Sequence, residues 1–151
     1  MIQLSSVSKV FLLAAGLTLV TLGLFVAKRR LAPLPSDWRE LATGMEFRLI
    51  PAGSFIMGSP PNEAEREAQE TYHRVEMPHA FYFGKFEVTQ GQWQQVMGTN
   101  PSHFADCGPR CPVERVNWHQ VQEFIARLNQ RSGGHKFRLP TEAEWEYACR
   151  A

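Results

Sequence analysis

No phosphate-cradling glycine loop, G-x-S-x-G elbow, H-E-x-x-H pair or G-x-G-x-x-G turn occurs in the chain. These absences argue against P-loop or Rossmann nucleotide binding, elbow-type serine hydrolysis and zincin chemistry, each of which needs those residues at those spacings. An excess of either charge is absent too: sixteen Lys and Arg against fifteen Asp and Glu leave a net charge of +1. With no basic stripe interleaved with aromatics, a nucleic-acid partner is not expected. His73, His79, His103, His119 and His135 stand at no metal-ligand spacing and read as surface or hydrogen-bonded side chains. Glu63, Glu65, Glu67 and Glu70 around Arg66 read as a solvated face or loop before they read as catalytic carboxylates.

Cysteine is also scarce, at three residues. Cys107 and Cys111 lie in DCGPRCP, where Gly and Pro let the two Cα atoms approach, so a small disulfide loop is expected. Two free thiols in a surface loop is the alternative. A zinc site using His103, Cys107 and Cys111 would still want a fourth ligand. A disulfide would place the domain in an oxidising compartment outside the cytoplasm. Cys149 shares a helical face with Trp145 and Ala148 and reads most simply as a small core residue.

Long hydrophobic runs are confined to one place. Val10 to Ala27 is uncharged throughout, and at helical rise it would span about 27 Å, close to the hydrocarbon thickness of a bilayer. Residues 1–9 are then an N-terminal tail, 10–27 a transmembrane signal anchor and 28–44 a juxtamembrane linker. A cleaved signal peptide is the second reading, but Phe25 and Arg30 stand where small residues are needed for cuts after Ala27 and Ala32. The basic residues Lys28, Arg29 and Arg30 slightly favour a cytoplasmic domain; a Cys107–Cys111 disulfide points the other way.

Within 28–44, Pro33, Pro35 and Ser36-Asp37 are loop signals, with a short helical turn conceivable at Trp38 to Leu41. Phe47–Ile50 and Ser54–Met57, joined by Pro51-Ala52-Gly53, read as a hairpin, and Arg74 to Val88 as two short strands or one bent strand. Thr89 with Gln92, Asn117 with Gln120, and Thr141 with Glu144 are three capping boxes, each opening a helix. Val121, Phe124, Ile125 and Leu128 form a core stripe on the second of these helices, which Ser132-Gly133-Gly134 stops. Short strands, intervening helices and long Gly/Pro loops give an α+β fold.

Five blocks then occur in a particular order: Ile50-Pro51-Ala52-Gly53-Ser54-Phe55 with Met57-Gly58-Ser59; Phe86-Glu87-Val88-Thr89 with Gln92-Trp93; Asn100-Pro101-Ser102; Cys111-Pro112-Val113-Glu114 with Val116-Asn117-Trp118; and Arg138-Leu139-Pro140-Thr141-Glu142-Ala143-Glu144-Trp145-Glu146-Tyr147-Ala148. In these blocks Met45 to Ala151 resembles the formylglycine-generating enzyme (sulfatase-modifying factor) family. The resemblance implies a C-type-lectin-like fold with little regular secondary structure, here its N-terminal half only. Name-giving members oxidise a sulfatase cysteine to formylglycine with oxygen and copper(I) held by two cysteines. Relatives act in ergothioneine synthesis or siderophore maturation, or serve as binding modules.

In the enzymes the copper-binding pair, the calcium sites and much of the substrate groove follow the EWEYA block. This chain is therefore expected to hold no catalytic residue, cofactor or metal of its own, with copper and calcium belonging to a full-length homologue. It reads as an incomplete domain, a fragment rather than a purpose-made half. Glu87, Thr89, Asn117, Trp118, Arg138, Pro140, Thr141, Glu142, Glu144 and Trp145 carry the family motifs. The resemblance also makes Cys149 one half of a disulfide whose partner would lie in the later half. Expected partners are the membrane through residues 10–27 and a protein or peptide substrate. A non-catalytic binding module, or an inactive truncated chain, is the alternative.

The cysteine reading has a direct check. Thiol alkylation of membrane-fraction protein before reduction should label Cys149 alone, and after reduction should label Cys107 and Cys111 as well. Rapid labelling of both without reduction would place the domain in the cytoplasm.

Overall fold

The alternation of Phe47, Leu49 and their neighbours makes Glu46–Ile50 a strand with partners on both sides. In the computed structural model, which describes residues 3–5 and 33–150, it is β3 of seven strands. The others are β1 (Gln3–Ser5), β2 (Asp37–Arg39), β4 (Gly53–Met57), β5 (His73–Met77), β6 (Phe81–Gly84) and β7 (Lys136–Arg138). Among the described residues there are three α-helices: α1 (Gln90–Met97), α2 (Trp118–Arg131) and α3 (Glu142–Arg150). A single 3₁₀ turn covers Ala105–Cys107. The strands form an antiparallel five-stranded sheet in the order β2-β3-β6-β1-β7 and a separate β4-β5 pair.

The expected hairpin between Phe47–Ile50 and Ser54–Met57 does not form. Both hydrogen-bonding edges of β3 are taken, one by β2 and the other by β6, so β4 crosses to β5 instead. Nor is Trp38 in a helical turn. Asp37–Arg39 is an edge strand, with Trp38 in register with Phe47. The Trp38 ring stands 5.2 Å from Phe47, 6.1 Å from Tyr82 and 4.9 Å from His135, so the stretch read as linker contributes a strand to the sheet. Gln3–Ser5, within the stretch read as a tail, is a strand between β6 and β7. The apolar run at 10–27 lies outside the described residues. Among the described residues no helix is long and apolar enough to cross a membrane.

β6 organises the two cores. All four of its residues are buried, and strand alternation sends Tyr82 to one face and Phe81 and Phe83 to the other. On the first face Tyr82 joins Met45, Phe47, Trp93, Val96, Phe124, Ile125, Leu128 and Phe137. There α1 meets α2 through Trp93 and Phe124, whose rings stack 4.9 Å apart. On the second face Phe81 and Phe83 join Ile50 and Met77, with Phe55, Val75, Tyr147 and Ala148 against them.

The helices start where their caps dictate. Thr89 Oγ1 accepts from the Gln92 amide at 3.3 Å while Gln92 Oε1 accepts from the Thr89 amide at 3.0 Å. Asn117 and Gln120 repeat the exchange at 3.0 and 2.8 Å. Gly98 closes α1 at φ +86°, a left-handed conformation that glycine adopts without a Cβ clash.

A charged strip ties β2, β3 and the end of β6. The Asp37 carboxylate, which accepts from Ser36 Oγ and from Arg48 Nη1, is held below its ordinary range chiefly by those two bonds. Glu46 is lowered by Lys85 first and by Arg39 next. Because both carboxylates bind protons less readily in the fold, their contribution is complete above the ordinary carboxylate range and is lost as pH falls through the folded values. Thermal midpoints measured down an acid series should drop as these groups protonate, and Asp37→Asn with Glu46→Gln should flatten that drop. An unchanged acid slope in the double variant would reject the assignment.

Candidate functional site

The last strand and helix form one hydrogen-bonded unit. After Arg138 leaves β7, Pro140 prevents a further ladder bond and Thr141 turns the chain into α3. Glu144, buried to 8% exposure, takes four bonds at that corner. Arg138 Nη1 and Nη2 donate to its two oxygens at 2.8 and 2.6 Å, and the Thr141 amide and hydroxyl donate at 2.8 and 3.0 Å. The Glu144 amide returns a bond to Thr141 Oγ1 at 3.2 Å, closing the capping box. The bond to Glu144 raises the Arg138 pKa above its ordinary value, so the guanidinium stays charged.

One side of α3 is docked. Glu146 Oε1 accepts from the Gly58 amide at 3.0 Å, and Arg150 Nη2 donates to the Gly58 carbonyl at 3.2 Å. Tyr147 packs its ring 5.2 Å from Phe55. The opposite side is open. Although Trp145, Ala148 and Cys149 share a helical spacing, Trp145 is 49% exposed and Cys149 is exposed, which corrects the reading of Cys149 as a small core residue. Only Ala148 of the three packs inward, because the helix turns Tyr147 rather than Trp145 toward β4. Trp145, Leu139, Pro140, Thr141 and the exposed Glu142 line an open depression of about 390 Å³.

A second constellation surrounds the start of α1. Buried Gln90 donates from Nε2 to the Phe104 carbonyl at 3.1 Å and accepts from Asn100 Nδ2 at 2.8 Å. Its amide donates to the Cys111 carbonyl at 2.8 Å, and the Gly91 amide to Pro109 at 2.9 Å. Gly91 makes a close approach there, since a Cβ would meet the Pro109 carbonyl oxygen at 3.0 Å, a tight contact. The loop so held carries the Cys107–Cys111 disulfide, with Cα atoms 6.0 Å apart. Glu114 accepts from the Phe104 amide at 2.9 Å. Glu87 is exposed and lines, with Phe86, Thr89 and Arg110, a hollow of about 330 Å³. Trp118 opens α2 and is 62% exposed.

The motif residues therefore separate into two sorts. Thr89, Asn117, Arg138, Pro140, Thr141 and Glu144 build corners, while Glu87, Trp118, Glu142 and Trp145 face outward. Sequence reading missed Gln90 as the buried tie between α1 and the disulfide loop, and Glu146 and Tyr147 as the docking side of α3. Each of these contacts spans a long separation, so no local spacing announces it.

The copper(I) site of the enzymes needs two thiolates. Here Cys107 and Cys111 are bonded to each other, and Cys149 stands apart on α3, so the cysteines present do not fit that group. Among the described residues no cluster of three or more His, Cys, Asp and Glu could hold a metal.

The comparisons with known proteins agree with this architecture. Residues 35–151 match the sulfatase-modifying factor enzyme 1-like domain, and the chain belongs to that family. It is 38% identical to the chaperone protein LppX of Paenibacillus barcinonensis over 46% of this chain and 35% of that protein. Among solved structures it is similar to PvdO from Pseudomonas aeruginosa, with a TM-score of 0.66 and 27% identity, covering 79% of this chain and 52% of that one. It is also similar to Treponema denticola variable protein 1, at a TM-score of 0.59 and 28% identity over 78% and 57% of the two chains. The chain thus spans about half the length of these structures, and only a third of the curated relative.

Docking of α3 can be tested at Gly53, where a Cβ would collide with the Tyr147 hydroxyl and would otherwise approach only the ring carbon Cζ, at 3.5 Å. Gly53→Ala should lower stability by about 1–3 kcal/mol, the usual cost of overpacking. Adding Tyr147→Phe should restore most of the loss. Equal instability of the single and double variants in denaturant titration would place the conflict elsewhere.

Proposed function

We propose that residues 35–151 are the scaffold half of a formylglycine-generating-enzyme-like domain, held outside the cytoplasm by an anchor at residues 10–27. In the longer protein this half supports an oxygen- and copper-dependent oxidation of a cysteine in a protein or peptide substrate. The thiolates for copper(I) come from sequence beyond this chain. The observation that carries the reading is the state of the three cysteines: two are joined in the loop against α1, and the third stands alone on the open side of α3. The disulfide supports the extracytoplasmic placement, and the uncharged run Val10 to Ala27 supports the anchor.

The second reading is a non-catalytic binding module of lectin-like fold. It draws on the exposed aromatics Phe86, Phe104, Trp118 and Trp145, 64%, 67%, 62% and 49% accessible. Scattered loop and rim aromatics of this kind commonly anchor recognition of a partner. The two readings part on one experiment. Copper(I) titration of this chain and of a version extended past Ala151 should give tight binding and cysteine oxidation only in the extended protein. An extended domain without a cysteine pair, still binding a peptide, would establish the module; a tight copper(I) site in the present chain would overturn both assignments.

A further inference from the structure

β1 occupies an unusual position. It is the earliest segment of the chain, yet it lies inside the sheet, with β6 on one side and β7 on the other. Gln3 and Leu4 are in register with Phe83 and Tyr82, and Gln3, Leu4 and Ser5 with Arg138, Phe137 and Lys136. Among the described residues no strand pairs with the other edge of β7. There the Asn129 side chain takes the Phe137 amide at 2.6 Å and gives to the Phe137 carbonyl at 3.0 Å. In an antiparallel ladder the peptide groups of Lys136 and Arg138 then point the opposite way, into the gap that β1 fills.

Removing β1 would leave an acceptor site with main-chain hydrogen-bonding groups on both walls and the buried residues Tyr82 and Phe137 at its middle register position. Such a gap selects an extended peptide by main-chain bonding, with an apolar residue at the centre and polar ones beside it, as in Gln3-Leu4-Ser5. The anchor reading makes vacancy unavoidable. If residues 10–27 cross a bilayer, residues 3–5 and 33–150 lie on opposite sides of about 30 Å of hydrocarbon and cannot share a sheet.

We propose that the gap between β6 and β7 is a strand-acceptor site, filled in cis by Gln3–Ser5 only while residues 10–27 are out of the bilayer, and open to an extended peptide in trans once they cross it. The acceptor site stands on the strand pairing alone, whereas the exclusion rests on the proposed anchor.

The test uses the full chain with Cys149→Ala and the register pair Ser5→Cys with Lys136→Cys. Lipid-free protein should form an intramolecular cross-link on mild oxidation, and the offset pair Ser5→Cys with Arg138→Cys should form far less. Reconstituted into phosphatidylcholine vesicles, the carbonate-resistant fraction should lose the cross-link. There a Met1–Lys9 peptide carrying Ser5→Cys should instead couple to Lys136→Cys of the inserted chain. An undiminished intramolecular cross-link in the carbonate-resistant fraction overturns the exclusion. Absence of any cross-link in lipid-free protein, together with no peptide coupling, overturns the acceptor site. A chain that never becomes carbonate-resistant overturns the anchor and with it the exclusion, while the lipid-free cross-link still decides the site.

Discussion

The fold depends on one constraint: β6 is buried on both faces. A strand with a solvated face can alternate apolar and polar residues, but Phe81-Tyr82-Phe83-Gly84 has no position to give to water. Tyr82 satisfies its hydroxyl by donating to the Pro35 carbonyl at 2.7 Å, and burial pushes its pKa up. Everything else is arranged to cover this strand. α1 and α2 bring Trp93 and Phe124 to one side; the β4-β5 pair and α3 bring Phe55, Val75 and Tyr147 to the other. Gly84 ends the strand where Lys85 turns outward to the Asp37 and Glu46 carboxylates.

What could be read from the sequence follows the distance over which each interaction acts. Capping boxes close within three residues, so Thr89, Asn117 and Thr141 each marked a helix start at the residue immediately before the observed helix. The stripe on α2 was legible because helical period is local, and Phe124, Ile125 and Leu128 are indeed its buried residues. Strand partners were not legible. The two residues between β3 and β4, Pro51 and Ala52, suit a hairpin, but pairing is a competition for edges, and β3 had already given both of its edges to other strands. Trp38 was misread for the same reason: four residues offer no period, and its place is set by Phe47 and His135, far along the chain.

The same division of local from long-range applies to the candidate site. Arg138 and Glu144 are six residues apart, and the turn through Pro140 folds them into a bidentate pair. That explains why the RLPTEAE part of the motif is interpretable within the chain. Gln90, Gly53 and Gly58 are different, since each is defined by a partner that only the folded chain brings near: the Phe104 carbonyl, the Tyr147 hydroxyl and the Glu146 carboxylate. A glycine in a turn-rich stretch looks like turn chemistry until the helix that presses on it is placed.

The two sides of α3 bear on what this half of a domain is suited to do. A surface helix of a self-contained domain turns its largest apolar residue inward, because burying an indole contributes more than burying a phenol edge or an aliphatic stem. α3 does the reverse, seating Tyr147 and Ala148 against β4 and leaving Trp145 beside Leu139 and Pro140 at an open depression. Polar bonds from Glu144, Glu146 and Arg150 fix the helix in that orientation, so the exposure of Trp145 is enforced and not a matter of loose docking. Rotating the helix to bury the indole would break the Arg138–Glu144 pair and uncover a carboxylate that is nearly excluded from water. An apolar group held outward by a rigid polar frame is preorganised for contact with another surface, whether that surface is later sequence of the same protein or a bound partner.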